Sequence, residues 1–197
     1  RLAGSAGAQE LGRQANENPP VLRTHDRFGH RIDEVEFHPA WHELMTVAVR
    51  HGLHAAPWRD DRLGAHVARA AGFYVWGGTD AGHCCPISMT YAIVPALRHA
   101  PSLAGRFEPL LAALDYDYGL RPPETKRALL AGMSMTEKQG GSDVRANTTR
   151  AVPQADGSYL LTGHKWFTSA PMGDLFMVLA QAPGGLSCFL LPRVLPD

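Results

Sequence analysis

The sequence predicts an α+β protein with more than one domain, in which helices come first and antiparallel strands follow. Apolar residues recur at helical spacing between about residue 39 and residue 114, and strand-like runs alternate with glycine-containing turns beyond about residue 128. Helices followed by hairpins are typical of an α+β architecture. We therefore predict an amino-terminal arm and helical domain over residues 1–127 and a strand-rich domain over residues 128–197.

The composition is that of an ordinary folded globular chain. Of the 197 residues, 45% are hydrophobic and 19% are charged. The 19 basic and 19 acidic residues cancel, and no polybasic run is present. The chain therefore offers no electrostatic footprint for nucleic acid.

The cellular context is also indicated by the sequence. It contains neither a signal peptide nor an apolar run long enough to span a bilayer, so we expect no membrane partner. The cysteines at 84, 85 and 188 do not suggest a disulfide framework, which favours a reducing cytoplasm. Because the sequence starts at Arg1 rather than Met, we expect a fragment of a longer protein.

The predicted helices begin only after residue 36. Residues 1–36 show little apolar periodicity and contain several helix breakers, so we expect an extended arm or loop. Pro39 opens the first helix, Asp60-Asp61 caps the second, and Pro86 opens the third. The predicted buried stripes are Trp41, Leu44, Met45 and Ala48; then Leu63, Val67, Ala70, Ala71 and Tyr74; then Met89, Ile93 and Leu97; and finally Leu103, Phe107, Leu110, Leu111 and Leu114, with Pro95 and Pro109 expected to bend or break the last two helices.

Two hairpins are predicted in the strand-rich part. Asp156-Gly157 separates strand-like runs at 147–152 and 159–162, and Pro183-Gly184-Gly185 separates runs at 175–180 and 186–191. Such dipeptides and glycine pairs between apolar runs are strong hairpin signals.

The segment of residues 133–143 is the first candidate ligand-binding loop. It follows an apolar, strand-like run at 128–131 and ends in Gly140-Gly141-Ser142. Glycines let a ligand approach the main chain, and hydroxyl groups supply adaptable donors. The alternative is that Thr136 and Ser142 only close a turn, which is the more common use of such residues.

A second candidate loop, residues 163–169, follows about twenty residues later. It contains the aromatic pair Trp166-Phe167 and then two hydroxyl side chains. An aromatic platform beside a hydroxyl-rich loop suits a flavin ring, which has a hydrogen-bonding edge and an apolar face. The alternative is that the aromatic pair belongs to the core, as large aromatics beside loops usually do.

These segments resemble the flavin-binding segments of the acyl-CoA dehydrogenase family. The resemblance rests on Thr136-Glu137, Gly141-Ser142-Asp143 and Lys165-Trp166 with Thr168. Together with residues 37–42, 85–90 and 147–150, they are similar to the AidB-like branch, which comprises adaptive-response flavoproteins related to isovaleryl-CoA dehydrogenase. The resemblance covers nearly the whole chain.

The resemblance implies a fold, a cofactor and a reaction. The fold would be an all-helical amino-terminal domain, an antiparallel β-barrel-like middle domain and a carboxy-terminal helical bundle, with the last missing here. The cofactor would be FAD, the substrate an acyl-CoA or a related molecule, and the reaction α,β-dehydrogenation. The full-length protein would be a homotetramer.

The resemblance also implies flavin contacts from both loops. The first loop would contact the pyrimidine edge and the phosphate side of FAD, and Trp166 would flank the isoalloxazine ring. The implied cofactor-binding residues are Met133, Ser134, Met135, Thr136, Gly140, Gly141, Ser142, Trp166, Phe167, Thr168 and Ser169. Lys165 is left out as an exposed lysine at a strand end, and Glu137 is not assigned as the catalytic base, because the family's base comes from the carboxy-terminal bundle.

The sequence also offers an alternative function and several other candidate sites. The AidB-like branch also implies a flavoprotein that binds double-stranded DNA through the missing carboxy-terminal part and protects it from alkylation damage, and a flavin-fold module without redox activity is a third possibility.

His38 and His42 have a metal-compatible spacing but no third ligand in view, so we expect a structural pair and no metal. Adjacent thiols at Cys84-Cys85 have poor geometry for chelating zinc, and the carboxylates of residues 115–117 are expected in a solvated loop.

Overall fold

The computed structural model describes residues 1–195, so Pro196 and Asp197, at the end of the predicted strand-rich domain, lie outside it. The predicted fold class is confirmed, since helices precede a β-sheet. The helices are α1 (Ala6–Glu17), α2 (Pro39–Arg50), α3 (Ala56–Arg59), α4 (Ala65–Gly77), α5 (Cys84–Leu97) and α6 (Pro101–Leu111), with 3₁₀ turns at Pro123–Thr125 and Val144–Ala146. The strands are β1 (Val21–His25), β2 (Arg31–Glu36), β3 (Ala131–Ser134), β4 (Arg150–Pro153), β5 (Tyr159–Thr162), β6 (Leu175–Ala182) and β7 (Gly185–Pro192). Across residues 1–195, no helix has both the length and the apolar character needed to cross a bilayer.

The prediction of an extended arm over residues 1–36 is wrong. The first half forms α1, which Ser5 caps by accepting a hydrogen bond from the backbone N–H of Ala8, and β1 and β2 form an antiparallel hairpin. The α1 helix packs through small residues, since a Cβ atom added to Gly12 would lie 2.2 Å from the carbonyl oxygen of Thr79. Small residues give little apolar periodicity, which is why the sequence pattern missed this helix.

The first predicted helix, α2, has the predicted buried face. Its stripe of Trp41, Leu44, Met45 and Ala48 is buried in a cluster that also contains Leu130. The cluster therefore joins the helical part of the chain to the segment that enters the sheet.

The predicted buried stripe of the second helix is wrong. The helix α4 begins after Gly64 rather than after Asp60-Asp61, and its buried residues are Ala65 and Trp76. The residues expected in its core are exposed instead, namely Leu63, Val67, Ala70, Ala71 and Tyr74. Helical spacing identifies an apolar face but not the surface that covers it, and within residues 1–195 this face is uncovered.

The third and fourth predicted helices form as α5 and α6. The prolines at 95 and 109 lie inside these helices, and each helix continues for two residues past its proline. A proline so close to the carboxy terminus leaves most of the helical hydrogen bonds intact, so neither helix breaks in its middle. Leu114, expected in the fourth stripe, lies beyond α6 and is exposed. The buried members of the two predicted stripes are Ile93, Leu97, Phe107 and Leu111.

Both predicted hairpins are present. The strands β4 and β5 pair antiparallel around Gly157, which has a φ of +85°, and β6 and β7 pair antiparallel around Pro183-Gly184. The strand β6 also pairs in parallel with β3 and, through Arg150 opposite Gln181, with β4. These parallel pairings join segments that are distant in the sequence, so no local turn signal predicts them.

The sheet is organised around β6. The strand β7 pairs with β6 along its whole length, so β3 and β4 share the other edge in succession. On that edge β3 pairs with residues 175–178, and β4 begins opposite Gln181. The chain between β3 and β4 leaves this edge and returns to it, and most of the first candidate loop lies in this excursion.

A buried ion pair joins the helical part to the sheet. The Nζ atom of Lys126 lies 2.6 Å from Oδ1 of Asp174, and the two side chains are only 2% and 6% exposed. The other carboxylate oxygen of Asp174 accepts the backbone N–H of Leu130 at 2.9 Å, and the backbone N–H of Asp174 donates to the carbonyl oxygen of Leu130 at 2.8 Å. These bonds tie together the starts of β3 and β6. We propose that the domain boundary, between residues 127 and 128, lies within this junction.

One of the two buried histidines of the helical part, His54, makes stability depend on pH. His54 donates from Nε2 to the carbonyl oxygen of Ala113 at 2.8 Å, while its Nδ1 has no partner in the described chain. Burial, aided by Arg59 and Arg69, lowers the pKa of His54 from 6.5 to about 4. Between pH 6.5 and about 4, His54 is therefore protonated in the unfolded state but stays neutral in the folded state.

We expect the free energy of unfolding to fall by up to about 3 kcal/mol as the pH drops from about 6.5 to about 4, with no further loss from this group below that range. In urea titrations at a series of pH values, His54→Gln should flatten this dependence. The surface variant His99→Gln should keep it. An identical pH dependence for His54→Gln and the parent chain would contradict the assignment.

Candidate functional site

The two candidate loops lie against each other. We call residues 133–137 and 165–169 the loop pair. Met133 donates its backbone N–H to the carbonyl oxygen of Ser169 at 3.3 Å, and Ser169 returns a hydrogen bond to Met133 at 2.9 Å. Because each residue both donates and accepts, the two segments run antiparallel at this end.

Further contacts continue the pairing toward the first loop. The hydroxyl groups of Ser134 and Thr168 are 2.8 Å apart, and Trp166 donates its backbone N–H to the carbonyl oxygen of Thr136 at 2.9 Å. Met133 and Ser134 belong to β3, which is shifted toward the loop relative to the predicted strand at 128–131. The structure thus brings residues of both predicted segments into one ladder.

The middle of the loop pair departs from regular pairing. Phe167 has a φ of +54°, a left-handed conformation that is uncommon for a bulky residue. The carbonyl oxygen of Met135, at the matching position, accepts from side chains rather than from the backbone of the second loop: from Nδ2 of Asn147 at 2.8 Å and from Nζ of Lys165 at 3.5 Å.

The aromatic pair of the second loop faces solvent. Trp166 is 46% exposed and Phe167 is 79% exposed, and their rings meet edge to face with centroids 5.7 Å apart. The alternative that these rings fill the core is therefore wrong for the described chain. Two exposed rings beside a row of hydroxyl and backbone groups form a shelf on which a flat, partly apolar ligand can lie.

The outer part of the first loop stands apart from the second loop. Gly140 has a φ of +134° and donates its backbone N–H to the carbonyl oxygen of Glu137 at 3.0 Å, as in a turn. Gly141 lies against Thr136, since a Cβ atom added there would be 2.9 Å from the Thr136 hydroxyl oxygen. Ser142 is exposed, and this outer part meets the loop pair through Glu137 and Thr136 of the first loop rather than through the second loop. The hydrogen bond from Gly140 to Glu137 closes a turn, which is the structure that the alternative interpretation of this loop predicted.

A buried ion pair closes the loop pair, and the sequence prediction missed it. Nζ of Lys165 lies 2.9 Å from Oε1 of Glu137, with the two side chains 10% and 2% exposed, so the expected exposed lysine is wrong. Burial opposes ionisation of Glu137, but hydrogen bonds from Thr148 and Thr149 and the charge of Lys165 outweigh it and hold the pKa of that carboxyl well below its usual value. The sequence signal for this contact was limited to two opposite charges, Glu137 in the first loop and Lys165 in the second.

The histidines considered for metal binding have structural partners. Nδ1 of His38 accepts the backbone N–H of Ala40 at 3.2 Å and caps α2, and Nδ1 of His42 lies 2.8 Å from the hydroxyl oxygen of Tyr116. Within residues 1–195, no group of three or more His, Cys, Asp or Glu side chains has a geometry that could hold a metal ion.

The remaining candidates lie apart from the loop pair. All three cysteines are free thiols. The loop at 115–117 is not fully solvated as expected, because Asp117 is largely buried and accepts hydrogen bonds from Arg121 and from the backbone N–H of Arg127. A groove of about 820 Å³ lies between α2, α3 and α4, and no residue of the loop pair lines it.

Comparison with known proteins decides the family. Residues 1–118 match the family described as the adaptive response protein AidB N-terminal domain, and residues 132–197 match the acyl-CoA dehydrogenase middle domain. The chain belongs to the AidB-like branch of the acyl-CoA dehydrogenase family. It is 52% identical over 196 residues to the "Putative acyl-CoA dehydrogenase AidB" of Escherichia coli K12, covering 98% of this chain and 36% of that relative.

Solved structures of the family share the fold. Caenorhabditis elegans ACDH-11 in complex with C11-CoA matches with a TM-score of 0.80 and 29% identity, over 94% of this chain and 33% of that one. An acyl-CoA dehydrogenase from Bacillus anthracis complexed with FAD matches with a TM-score of 0.56 and 25% identity, over 79% of this chain and 26% of that one. The chain thus spans about a third of the length of the Escherichia coli relative and of ACDH-11.

A small residue is required where the loop pair begins. A Cβ atom added to Gly132 would lie 2.2 Å from the carbonyl oxygen of Ser169 and 2.6 Å from the ring of Phe176. Gly132→Ala should therefore force the loops apart and lower the free energy of unfolding by about 2 kcal/mol or more in urea titrations.

The matched control is Gly184→Ala, because an added Cβ atom there meets nothing within 4 Å. This change should alter stability by less than about 0.5 kcal/mol. Equal stability of the two variants would show that the close approach at Gly132 is not required.

Proposed function

We propose that the protein is an FAD-dependent oxidoreductase that carries out α,β-dehydrogenation of an acyl thioester such as isovaleryl-CoA. The observation that carries this proposal is the antiparallel contact between the two predicted flavin segments, with Trp166 exposed beside it. Had Thr136 and the second loop lain on opposite sides of the molecule, no shared shelf would exist.

The residues present fit a flavin in chemical type. A flavin ring needs an apolar surface for its face and hydrogen-bonding groups for its pyrimidine edge. Trp166 and Phe167 supply exposed apolar surface, and the hydroxyl groups of Ser134, Thr136 and Thr168 lie in the adjoining row. All five residues belong to the loop pair; Trp166, Phe167 and Thr168 are exposed and Thr136 is partly exposed, whereas Ser134 is buried against the hydroxyl of Thr168.

The proposed roles follow from these positions. Bound FAD would supply two-electron oxidation of the acyl chain. Trp166 would fix the ring through stacking, and the hydroxyl and backbone groups of the first loop would orient its polar edge and phosphate side. The base that removes the α-proton is not assigned to a residue of this chain.

The relatives support the ligands that we propose. The Bacillus anthracis structure holds FAD, and the Caenorhabditis elegans structure holds C11-CoA. We extend both ligand classes to this protein, with the acyl chain left unspecified beyond an acyl-CoA.

We also propose a homotetrameric full-length protein that resides in the cytoplasm. The uncovered apolar face of α4, with Leu63, Val67 and Tyr74 exposed, supports a larger assembly, because extensive apolar patches usually mark interaction surfaces. The free thiols Cys84 and Cys188 support a reducing compartment.

A second candidate function is protection of double-stranded DNA from alkylation damage. The match of residues 1–118 to the adaptive response protein AidB N-terminal domain favours it. The formal net charge of zero is consistent with a DNA-binding surface that lies outside this chain.

The two functions can be separated with the full-length protein. Anaerobic bleaching of the flavin absorbance by isovaleryl-CoA would support dehydrogenation, whereas a salt-sensitive shift of duplex DNA without bleaching would support DNA protection. We expect the isolated 197-residue chain to bind FAD only weakly, and stoichiometric retention of FAD by it would contradict that expectation.

The aromatic shelf gives a direct test of the flavin site. In the full-length protein, Trp166→Ala should weaken FAD binding on the order of 10-fold, measured by flavin fluorescence, because a stacking surface is lost. Phe28→Ala is the control, since Phe28 is also an exposed aromatic residue but lies in the turn of the β1–β2 hairpin. Equal FAD affinity of the Trp166→Ala variant and the parent protein would remove Trp166 from the site.

A further inference from the structure

The contacts of the loop pair follow one antiparallel register. Each step forward along the first loop is matched by a step back along the second. In order, the contacts join Met133 to Ser169, Ser134 to Thr168, Thr136 to Trp166, and Glu137 to Lys165. The buried ion pair is therefore the last step of the same ladder that carries the proposed flavin contacts.

The ladder is interrupted before it reaches the ion pair. Phe167 is in the left-handed region, and the carbonyl oxygen of Met135 accepts from the side chains of Asn147 and Lys165 rather than from the backbone of the second loop. Beyond this interruption a single backbone hydrogen bond, from Trp166 to Thr136, joins the loops. One such bond adds little net stability, so another contact is needed to hold this end.

The Glu137 carboxylate connects this end to the sheet. Its Oε1 atom accepts from Lys165 and from the backbone N–H of Thr149, both at 2.9 Å. Its Oε2 atom accepts from the backbone N–H of Thr148 at 2.6 Å and from the Thr148 hydroxyl at 2.8 Å. Thr149 in turn accepts a hydrogen bond from the backbone N–H of Gln181, in β6, at 2.7 Å. The carboxylate thus links both loops to the central strand.

We propose that Glu137 and Lys165 are positioning residues that hold Thr136 and Trp166 at the separation required by the flavin. Both side chains are buried, with Lys165 10% and Glu137 2% exposed, so neither is assigned a contact with the cofactor. Each acts through its neighbour in the chain, since Glu137 follows Thr136 and Lys165 precedes Trp166. The inference rests on the proposed function for the identity of the ligand, but not for the link between the loops.

A positioning role can be distinguished from a purely structural one by comparing the removal of one charge of the pair with the neutralisation of both. Removing only Lys165 leaves a buried carboxylate without its counter-ion, which lowers stability whatever the pair does for the ligand. Neutralising both partners removes that cost but still removes the ionic link between the loops. Any loss of FAD binding in the doubly neutral variant then reports on loop position.

The experiment uses the full-length protein with four variants: Lys165→Met, Glu137→Gln, the double variant of these two, and Lys138→Met. Lys138 is the matched control, because it is exposed and adjacent to Glu137. FAD affinity, the visible absorption spectrum of the bound flavin and thermal stability are measured for each. Amide hydrogen exchange of residues 133–137 and 165–169 is measured on FAD-free protein.

We expect Lys165→Met and the double variant to weaken FAD binding at least about 10-fold, because small displacements of positioning groups have large effects. The flavin spectrum should shift, and amide exchange in both loops should rise even without FAD. The double variant should regain stability relative to Lys165→Met while its FAD affinity stays low. Lys138→Met should match the parent protein in every measurement.

Two results would overturn the inference. One is a double variant that binds FAD within about twofold of the parent, with an unchanged spectrum and unchanged exchange. The other is a change in thermal stability alone, which would make the pair merely structural. If the parent protein itself binds no FAD, the proposed function fails instead, and the exchange measurement still decides whether the pair holds the loops together.

Discussion

The buried pairing of Lys126 with Asp174 is the constraint on which the placement of both candidate loops depends. Burying two charges is costly unless their other hydrogen-bonding positions are also satisfied. Here Lys126 also donates to the carbonyl oxygen of Gly119 at 3.2 Å, and Asp174 accepts from Leu130. The pair therefore fixes where β3 and β6 start. The register of the later strand pairings in the sheet depends on these two starting points.

The strand β6 positions the first candidate loop relative to the sheet. One of its edges passes from β3 to β4, and the change of partner leaves Leu179 and Ala180 between the two ladders. The first loop leaves the sheet at this gap, so its irregular backbone rests on a buried, regular strand. Loops that carry function are commonly held by such rigid elements. The second loop reaches the same place because it ends just before β6.

Local features of the chain were predictable, and long-range ones were not. The hairpin at Gly157 and the buried stripe of α2 follow from turn chemistry and helical spacing, which act over a few residues. The buried face of α4, at Ala65 and Trp76, could not be predicted, because it depends on which surface packs against that helix. The residue types of the two loops and the family resemblance pointed to one shared site, whereas the partnership of Glu137 with Lys165 joins residues too far apart for any spacing rule.

The left-handed backbone of Phe167 sets conformational energy against the proposed binding role at one position. A residue with a Cβ atom loses about 1 kcal/mol or more in this conformation, a cost that glycine avoids. Conformational energy alone would thus favour a residue with no side chain here, yet the chain presents an apolar ring to solvent. If Phe167 contacts the flavin as proposed, stability and activity favour different amino acids at this position.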